Sequence, residues 1–376
     1  MLITEEGHFQ TDELTINMGP QHPSTHGVLR VELLSDGEIV KGAYPDIGYL
    51  HRCFEKHCET RDYIQTVPFA DRMDYVAAMN MELGLCMTYE KLLGTEIPER
   101  GQYIRVIMAE LNRIASHLLS VGTYGIDIGA FTPFLYCFRD REHILRIFEE
   151  ICGARLLYNY IRPGGSSRDL SRGMLDKIKE FCHYFKDQLD EINQLVSGNA
   201  IFVKRTADIG VISPDLAISY GFSGPNLRGS GYNWDLRKDM PYLVYDKIDF
   251  DVCLGEGEEG TVGDCWNRYY VRVKEMYQSL RILEQAVEQI PDGDFMAKVA
   301  KSIKPDGECY LATECPRGAL GYHVIGDGSK KPYRVKAKSP CFITTSSIDE
   351  VCSGMMLADV VAYLGSIDIV LGEVDR

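Results

Sequence analysis

The chain has 376 residues, of which 45% are hydrophobic and 25% are charged, a composition normal for a globular protein. Its 40 basic and 55 acidic residues give a net charge of −15, which argues against a broad nucleic-acid-binding surface. No apolar run approaches the roughly 20 residues that span a bilayer. The N-terminal residues also lack the basic and apolar regions of a signal peptide, so we expect none.

Three strands are predicted near the start of the chain, over residues 13–18, 28–34 and 38–43. The turn at 35–37, which reads Ser-Asp-Gly, joins the second and third strands as a hairpin.

Long helices are predicted for the middle of the chain from apolar positions that recur at helical period. The expected ranges are about 72–93, 104–121, 132–153, 175–197 and 262–290. Glycines are expected to end the first four, at positions 94, 122, 153 and 198. Thr132 followed by Pro133 is typical of an N-cap and the first residue of a helix.

Strands return over residues 307–346, with a hairpin at 326–329. The fold class expected is therefore α+β, with a core of long helices and small sheets at the N- and C-terminal ends. We divide the chain into a β-rich segment (1–69), a helical core (70–300) and closing hairpins (301–376), which together form one integrated domain.

Two motifs and the cysteines have simple structural explanations. Residues 255–260 spell the glycine pattern of a dinucleotide-binding loop, but three glutamates would repel a pyrophosphate and no βαβ unit surrounds them, so an acidic surface loop is expected. Glu110, within an apolar helix, is either a buried proton carrier or, as we favour, a carboxylate satisfied by partners. The 12 cysteines form no Cys-x-x-Cys pair, and we expect thiols that act as small hydrophobes in a reducing cytoplasm.

The loop of residues 19–30 carries two histidines, His22 and His26, among prolines and glycines that forbid a regular helix. Imidazole is the side chain best suited to proton transfer near neutral pH. Taken alone, the loop is more simply a tight turn with two exposed histidines. Other segments of the sequence decide whether this loop is a simple turn or part of a functional site.

Several segments together resemble the 49-kDa subunit family of respiratory complex I, the proton-pumping NADH:quinone oxidoreductase. They are residues 19–30, 48–56, 71–76, 127–134, 160–165 and 368–376. The family shares its fold with the large subunit of nickel–iron hydrogenases, which hold their metals with two Cys-x-x-Cys pairs. By resemblance those thiolates would fall at Asp74, Ala77, Val370 and Glu373. None of these residues is a thiolate, so the resemblance implies the fold without the metal site and argues against a hydrogenase.

The resemblance implies that the vacated pocket binds a quinone headgroup. Three residues are expected to be catalytic, His26, Tyr75 and Asp127, and Thr123 is expected to line the quinone site. Imidazole and phenol can each donate a hydrogen bond and a proton to a quinone oxygen, and Asp127 would favour the charged imidazole and fix its orientation. His22 is left to shape the loop or to a secondary role.

The resemblance also implies that the electrons come from a neighbouring subunit, which carries the terminal [4Fe-4S] cluster, N2. This chain is expected to bind no metal or cofactor itself, and quinone is its substrate. Arg52 and Arg72 match arginines beside the cluster, where positive charge would raise its potential. Leu157 stands where the family often has a histidine, which predicts a cluster potential that depends less on pH than in the relatives that carry the histidine; a slope of about one proton per electron would contradict this prediction.

Other expected partners are the homologue of the 30-kDa subunit of complex I and the membrane subunit at the entrance of the quinone channel. The whole would lie peripherally on the cytoplasmic face of a bacterial cell membrane. The alternative is a scaffold subunit of a related hydrogenase-like or ferredoxin-linked membrane complex, whose pocket is no longer redox-active. The presence of His26, Tyr75 and Asp127 together argues against that alternative.

Overall fold

The computed structural model describes residues 2–3, 9–10, 13–300 and 302–376. The strands in these ranges are β1 Leu2–Ile3, β2 Phe9–Gln10, β3 Glu13–Met18, β4 Arg30–Asp36, β5 Ile39–Asp46, β6 Ile161–Arg162, β7 Gly165–Ser166, β8 Asp306–Cys315, β9 Gly318–Asp327 and β10 Arg334–Lys338. The longer helices are α3 Ala78–Leu93, α4 Glu99–Asp127, α5 Phe131–Cys152, α6 Arg172–Ser197, α11 Cys265–Gln289 and α14 Leu357–Ile367. The shorter ones are α1 Phe54–Thr60, α2 Tyr63–Ala70, α7 Ala200–Thr206, α8 Pro214–Tyr220, α9 Gly224–Gly229, α10 Leu236–Asp239, α12 Pro340–Thr345, α13 Ile348–Cys352 and α15 Leu371–Asp375.

The N-terminal sheet is antiparallel, in the order β3-β4-β5, and confirms the predicted strands and hairpin. Strand β4 begins at Arg30, two residues later than predicted, because Val28 and Leu29 still belong to the preceding loop. Buried and partly exposed side chains alternate along β4, so one face of this sheet packs on the core.

The predicted helices are present, but several of their ends differ from the prediction, some by about a turn and a half. Helix α3 begins at Ala78 rather than at residue 72, because the Asp74 carboxylate accepts the backbone N–H groups of Val76 (3.1 Å) and Ala77 (3.2 Å) and holds the preceding segment in a turn. Helix α4 runs past Gly122 to Asp127. A Cβ on Gly122 would lie 3.2 Å from the Cβ of Cys137, so this glycine lets α4 approach α5 instead of ending a helix.

The remaining long helices follow the predictions closely. Helix α5 begins at Phe131, one residue before the predicted cap Thr132, and ends as expected at Gly153, whose φ is +83°. Helix α6 ends at Gly198. Helix α11 begins at Cys265 rather than 262, because Asp264 caps it by accepting the Asn267 N–H.

The C-terminal sheet has the antiparallel order β10-β9-β8, and β9 and β10 are joined through the predicted hairpin region. The expectation of strand up to residue 346 was wrong, because residues 340–345 form helix α12, with Pro340 at its first position and the Ser339 hydroxyl as its cap. The short helices were not predicted.

The helical core contains a buried ionic cluster around Glu110. Its carboxylate accepts from Tyr245 Oη (2.7 Å), Ser279 Oγ (2.6 Å), Arg113 Nε (3.2 Å) and Arg237 Nη1 (3.2 Å). Burial alone would raise the pKa of Glu110, but the two guanidinium groups outweigh it and lower that pKa. Glu110 is therefore a carboxylate satisfied by its partners, as favoured.

The structural explanations expected for the cysteines and for residues 255–260 are also confirmed. All twelve cysteines are free thiols, and ten of them are buried. Residues 255–260 form a largely exposed acidic loop that reaches α11 without a strand before it, and Glu256 and Glu258 both pair with Lys274.

The first and last parts of the chain share their cores with the middle. One cluster packs Val31 and Leu33 of the N-terminal sheet with Leu371 and Val374 of α15. Another packs α1, α2 and α3 under the C-terminal sheet. The division at residues 69 and 300 stays a prediction. Within the described ranges, every helix is too short or too polar to cross a bilayer.

Candidate functional site

The loop that carries the two histidines is held closely by its own backbone. Residues Pro23–Thr25 form one turn of 3₁₀ helix, and the buried Thr25 hydroxyl donates to the His22 carbonyl oxygen at 2.8 Å. His26 itself has a φ of +51°, and Gly27 follows with a φ of +136°. This φ favours glycine, and Gly27 lies beside the Leu371 side chain of α15. The local sequence thus fixes the His26 imidazole at one place.

His26 forms an ion pair with Asp127, the last residue of α4. The distance from Nε2 to Asp127 Oδ2 is 2.6 Å, and the side chains are 13% and 6% exposed. Burial alone would lower the pKa of His26, but the hydrogen bond to Asp127 and its negative charge outweigh burial and raise that pKa. A carboxylate only accepts, so Nε2 carries a proton and the acidic proton of the charged ring is on Nδ1.

A cavity of about 360 Å³ opens beside this ion pair. Its polar lining consists of His26, Tyr75, Thr123, Asp127, Arg317 and Asp368. The structure therefore brings together the four residues that the sequence analysis assigned to the quinone site. Val76, Leu119 and Ile126 contribute apolar walls, which suit a flat ring.

Tyr75 reaches the cavity from the turn between α2 and α3, with 36% of its surface exposed. Among the described residues, none hydrogen-bonds its hydroxyl group. Burial and the nearby Asp74 charge raise the pKa of Tyr75, so the hydroxyl keeps its proton at neutral pH and remains available as a donor.

Two residues of the cavity, Arg317 and Asp368, were not predicted. The Arg317 guanidinium donates to Asp74 Oδ2 at 2.6 Å and Ser116 Oγ at 3.0 Å, and lies 3.4 Å from Asp368 Oδ1. Arg317 occupies the tight turn between β8 and β9, which carries no recognisable motif. Asp368 belongs to a segment that carried the family resemblance, and this was the one available signal.

Arg52 and Arg72 line a second, smaller cavity of about 200 Å³, together with Met73 and Arg376. The Arg52 guanidinium donates to the Arg72 carbonyl oxygen. Arg72 donates through Nη1 to the Pro68 carbonyl oxygen at 2.7 Å, while 46% of its side chain stays exposed. The two arginines thus stand apart from His26, on the other side of the segment that carries Tyr75.

Residues 368–375 separate the two cavities. A Cβ on Gly372 would lie 2.6 Å from the Met73 carbonyl oxygen, so this segment packs directly on the turn before Tyr75. Asp375 accepts the backbone N–H groups of Gly48 (2.9 Å) and Leu50 (2.7 Å), which ties the same segment to the loop that carries Arg52.

Asp74 and Glu373, two of the positions that the resemblance matched to hydrogenase thiolates, are buried carboxyl groups that influence each other. Burial and the Asp74 charge raise the pKa of Glu373 to about 7. Glu373 Oε2 accepts from the Cys341 thiol at 3.2 Å. Within the described ranges, no three His, Cys, Asp or Glu side chains are grouped as a metal site would need.

His22 and Leu157 lie outside the His26 cavity. His22 borders a different cavity, of about 310 Å³, with Met18 and Leu357. Leu157 is half-buried in the loop after α5 and has a φ of +58°.

The structure is that of an α+β protein in which a charged imidazole, a phenol and a buried guanidinium border one cavity. The family described as the 49-kDa subunit of respiratory-chain NADH dehydrogenase matches residues 127–305 and 294–376. Over the whole chain, the sequence is 54% identical to the D-type subunit of NADH-quinone oxidoreductase from Chlorobaculum tepidum and 53% identical to that from Prosthecochloris aestuarii, and it covers 95% of each. The chain belongs to this 49-kDa subunit family.

Proposed function

We propose that the cavity of His26, Tyr75 and Asp127 binds a quinone headgroup and is the place where the quinone is reduced. As a member of its family, the chain is a subunit of NADH-quinone oxidoreductase, the membrane-bound complex I, and acts within that assembly. The observation that carries the proposal is the convergence of the His26–Asp127 ion pair and the Tyr75 hydroxyl on one cavity.

Quinone reduction consumes two electrons and two protons, and both oxygens of the ring need a donor. The charged His26 can donate from Nδ1 to one oxygen, because Nε2 is committed to Asp127. The Tyr75 hydroxyl can donate to the other. Each donor stabilises negative charge as it develops on the reduced ring, and each proton then follows the charge.

Arg317 supports this chemistry from the cavity wall. Its positive charge would stabilise a reduced ring, but Asp74 and Asp368 already balance that charge in the resting state. The buried guanidinium therefore holds the wall in place without drawing anions non-specifically.

Electrons would arrive from the [4Fe-4S] cluster N2 of a neighbouring subunit, which supplies one electron at a time. The cavity of Arg52 and Arg72 is where we place the contact with that subunit, because two guanidinium groups there would stabilise a reduced cluster. We further propose contacts with the homologue of the 30-kDa subunit and with the membrane subunit at the channel entrance, on the cytoplasmic face of the membrane.

Tyr75→Phe tests the proposal within the purified complex. The complex should assemble and its cluster should be reducible, while quinone turnover should fall by about 10²-fold, the usual loss when a positioned proton donor is removed. Tyr333→Phe, at a tyrosine that is 67% exposed, is the matched control and should leave turnover unchanged. Normal turnover in an assembled Tyr75→Phe complex would remove Tyr75 from the site.

A further inference from the structure

Two carboxyl groups, Asp71 and Glu82, meet in the interior behind Arg72. Asp71 follows the last turn of α2 and Glu82 lies on α3, and both are fully buried. Asp71 Oδ2 accepts the Asn159 N–H at 3.1 Å. Glu82 Oε2 accepts the N–H groups of Tyr160 (2.8 Å) and Ile161 (2.6 Å).

The second oxygen of each carboxyl group is buried and lacks a donor. Asp71 Oδ1 and Glu82 Oε1 have no hydrogen-bond partner among the described residues other than each other's carboxyl group. The nearest cation is Arg72, whose Nη1 lies 4.0 Å from Asp71 Oδ2. Two buried carboxylates in contact cannot both be ionised, so a proton between them is the missing donor.

The surroundings favour the same protonation state. Burial raises the pKa of Asp71 to about 6, and burial together with the Asp71 charge raises the pKa of Glu82 further above its usual value. At neutral pH, Glu82 is therefore the donor and Asp71 the acceptor. The other titratable groups that face the pair are Arg72, Cys86, Arg105, Cys152 and Tyr158. Arg105 is neutralised by Glu90, and the two thiols and the phenol are neutral, so Arg72 is the one unbalanced charge.

We propose that Asp71 and Glu82 form a proton-binding site that holds one proton at neutral pH and takes up a second when negative charge arrives beyond Arg72. This inference rests on the proposed function, because the negative charge is that of the reduced cluster of the neighbouring subunit. Each electron that reaches the cluster then draws up to one proton from solvent into the pair, which changes from a charge of −1 to neutral.

Arg72 makes this coupling physically direct. Its guanidinium lies between the pair and the second cavity, and it borders both. When the cavity is empty of negative charge, Arg72 favours ionised Asp71. Negative charge in the second cavity offsets the positive charge of Arg72, and the protein interior screens this effect only weakly. Ionised Asp71 is then less stabilised, so the proton affinity of the pair rises.

The pair also holds the loop that contains Leu157. Its three acceptor contacts fix Asn159 and the two residues after it, and both Leu157 and Asn159 have positive φ values, of +58° and +45°. The position where relatives often carry a titratable histidine is thus apolar here, while the carboxyl pair that anchors the same loop can bind a proton instead.

Glu82→Gln and Asp71→Asn in the intact complex test the proposal. Both amides keep an oxygen that can accept the backbone N–H groups, so the loop is retained. Asp71→Asn removes the group that takes up the second proton, whereas the Glu82→Gln amide still donates to Asp71 as the protonated Glu82 does. Redox titration of the cluster by electron paramagnetic resonance should show a native potential that falls between about pH 6 and about pH 8, by less than the ~59 mV per pH unit of one proton per electron. Asp71→Asn should flatten that dependence, whereas Glu82→Gln and the exposed α6 control Glu180→Gln should retain it.

Infrared difference spectra of the reduced minus the oxidised complex supply a second measurement. A carboxylic-acid carbonyl band from Asp71 should appear on reduction in the native complex and be absent from Asp71→Asn. A native potential independent of pH, or the same slope or band in Asp71→Asn as in the native complex, would overturn the proposal. Tyr75→Phe should retain the native dependence of the cluster potential on pH. Undiminished quinone turnover in Tyr75→Phe would count against the quinone site alone, whereas a native potential independent of pH would count against the proton site alone.

Discussion

Replacing Asp127 by asparagine isolates the charge of the ion pair from its shape. The amide oxygen can still accept from His26 Nε2, across the 2.6 Å that separates the two groups. An opposite charge at this range shifts a pKa by about 1–3 units, and one unit corresponds to about 1.4 kcal/mol. The charged imidazole therefore loses at least about 1.4 kcal/mol of stabilisation, which is roughly a tenfold loss of proton affinity.

The sign of the effect on quinone reduction follows from the raised pKa of His26. The native imidazole stays charged to a pH above its ordinary value of about 6.5, and it loses the donated proton as pH rises through that raised pKa. In Asp127→Asn, the fall of turnover with rising pH should begin about one pH unit lower. At low pH, where both imidazoles are charged, turnover in the two proteins should be similar.

The measurement is the rate of quinone reduction by the purified complex across this pH range. Asp215→Asn, at an exposed position on α8, is the matched control and should reproduce the native profile. If the Asp127→Asn profile coincides with the native one, Asp127 does not set the protonation of His26 and the reasoning fails.

Two further substitutions probe the donor and the packing of the site. His26→Ala should lower quinone turnover less than Tyr75→Phe does, because water can fill the space and hand on a proton; a complete loss of turnover in an assembled complex would contradict this milder role. Gly372→Ala should lower the free energy of unfolding by about 1–3 kcal/mol, measured by thermal denaturation, because its Cβ would lie 2.6 Å from the Met73 carbonyl oxygen. Gly173→Ala, where a Cβ would meet nothing within 4 Å, should be neutral or stabilising, and an equal loss in the two variants would show that close packing is not the cause.

The long helices could be predicted because their apolar positions recur at helical period and pack on one core. Their ends could not always be predicted, because they depend on partners remote in sequence or on local side chains. Gly122 looked like a helix stop, yet α5 packs against it. Residues 72–77 looked helical, yet Asp74 turns the backbone there.

The residues of the site also divide into those that the sequence could predict and those that it could not. His26, Tyr75 and Asp127 could be proposed because recognisable segments carry them, and the structure places them around one cavity. Arg317 could not be proposed, because its partner Asp74 is 243 positions away and neither lies in a pattern that indicates the other. The Asp71–Glu82 pair could not be predicted for a related reason. A helix pattern shows which residues are apolar, but it does not show which buried carboxyl groups contact each other.

The placement of residues 368–375 between the two cavities has a consequence for how the protein folds. Asp375 binds a backbone N–H 327 positions away, whereas α4 and α5 follow each other directly. Contacts between neighbouring helices close short loops and form early, while contacts across most of the chain pay a larger loop entropy and form late. A chain whose helical core has formed but whose residues 368–375 are not yet in place would therefore lack the wall that both cavities share.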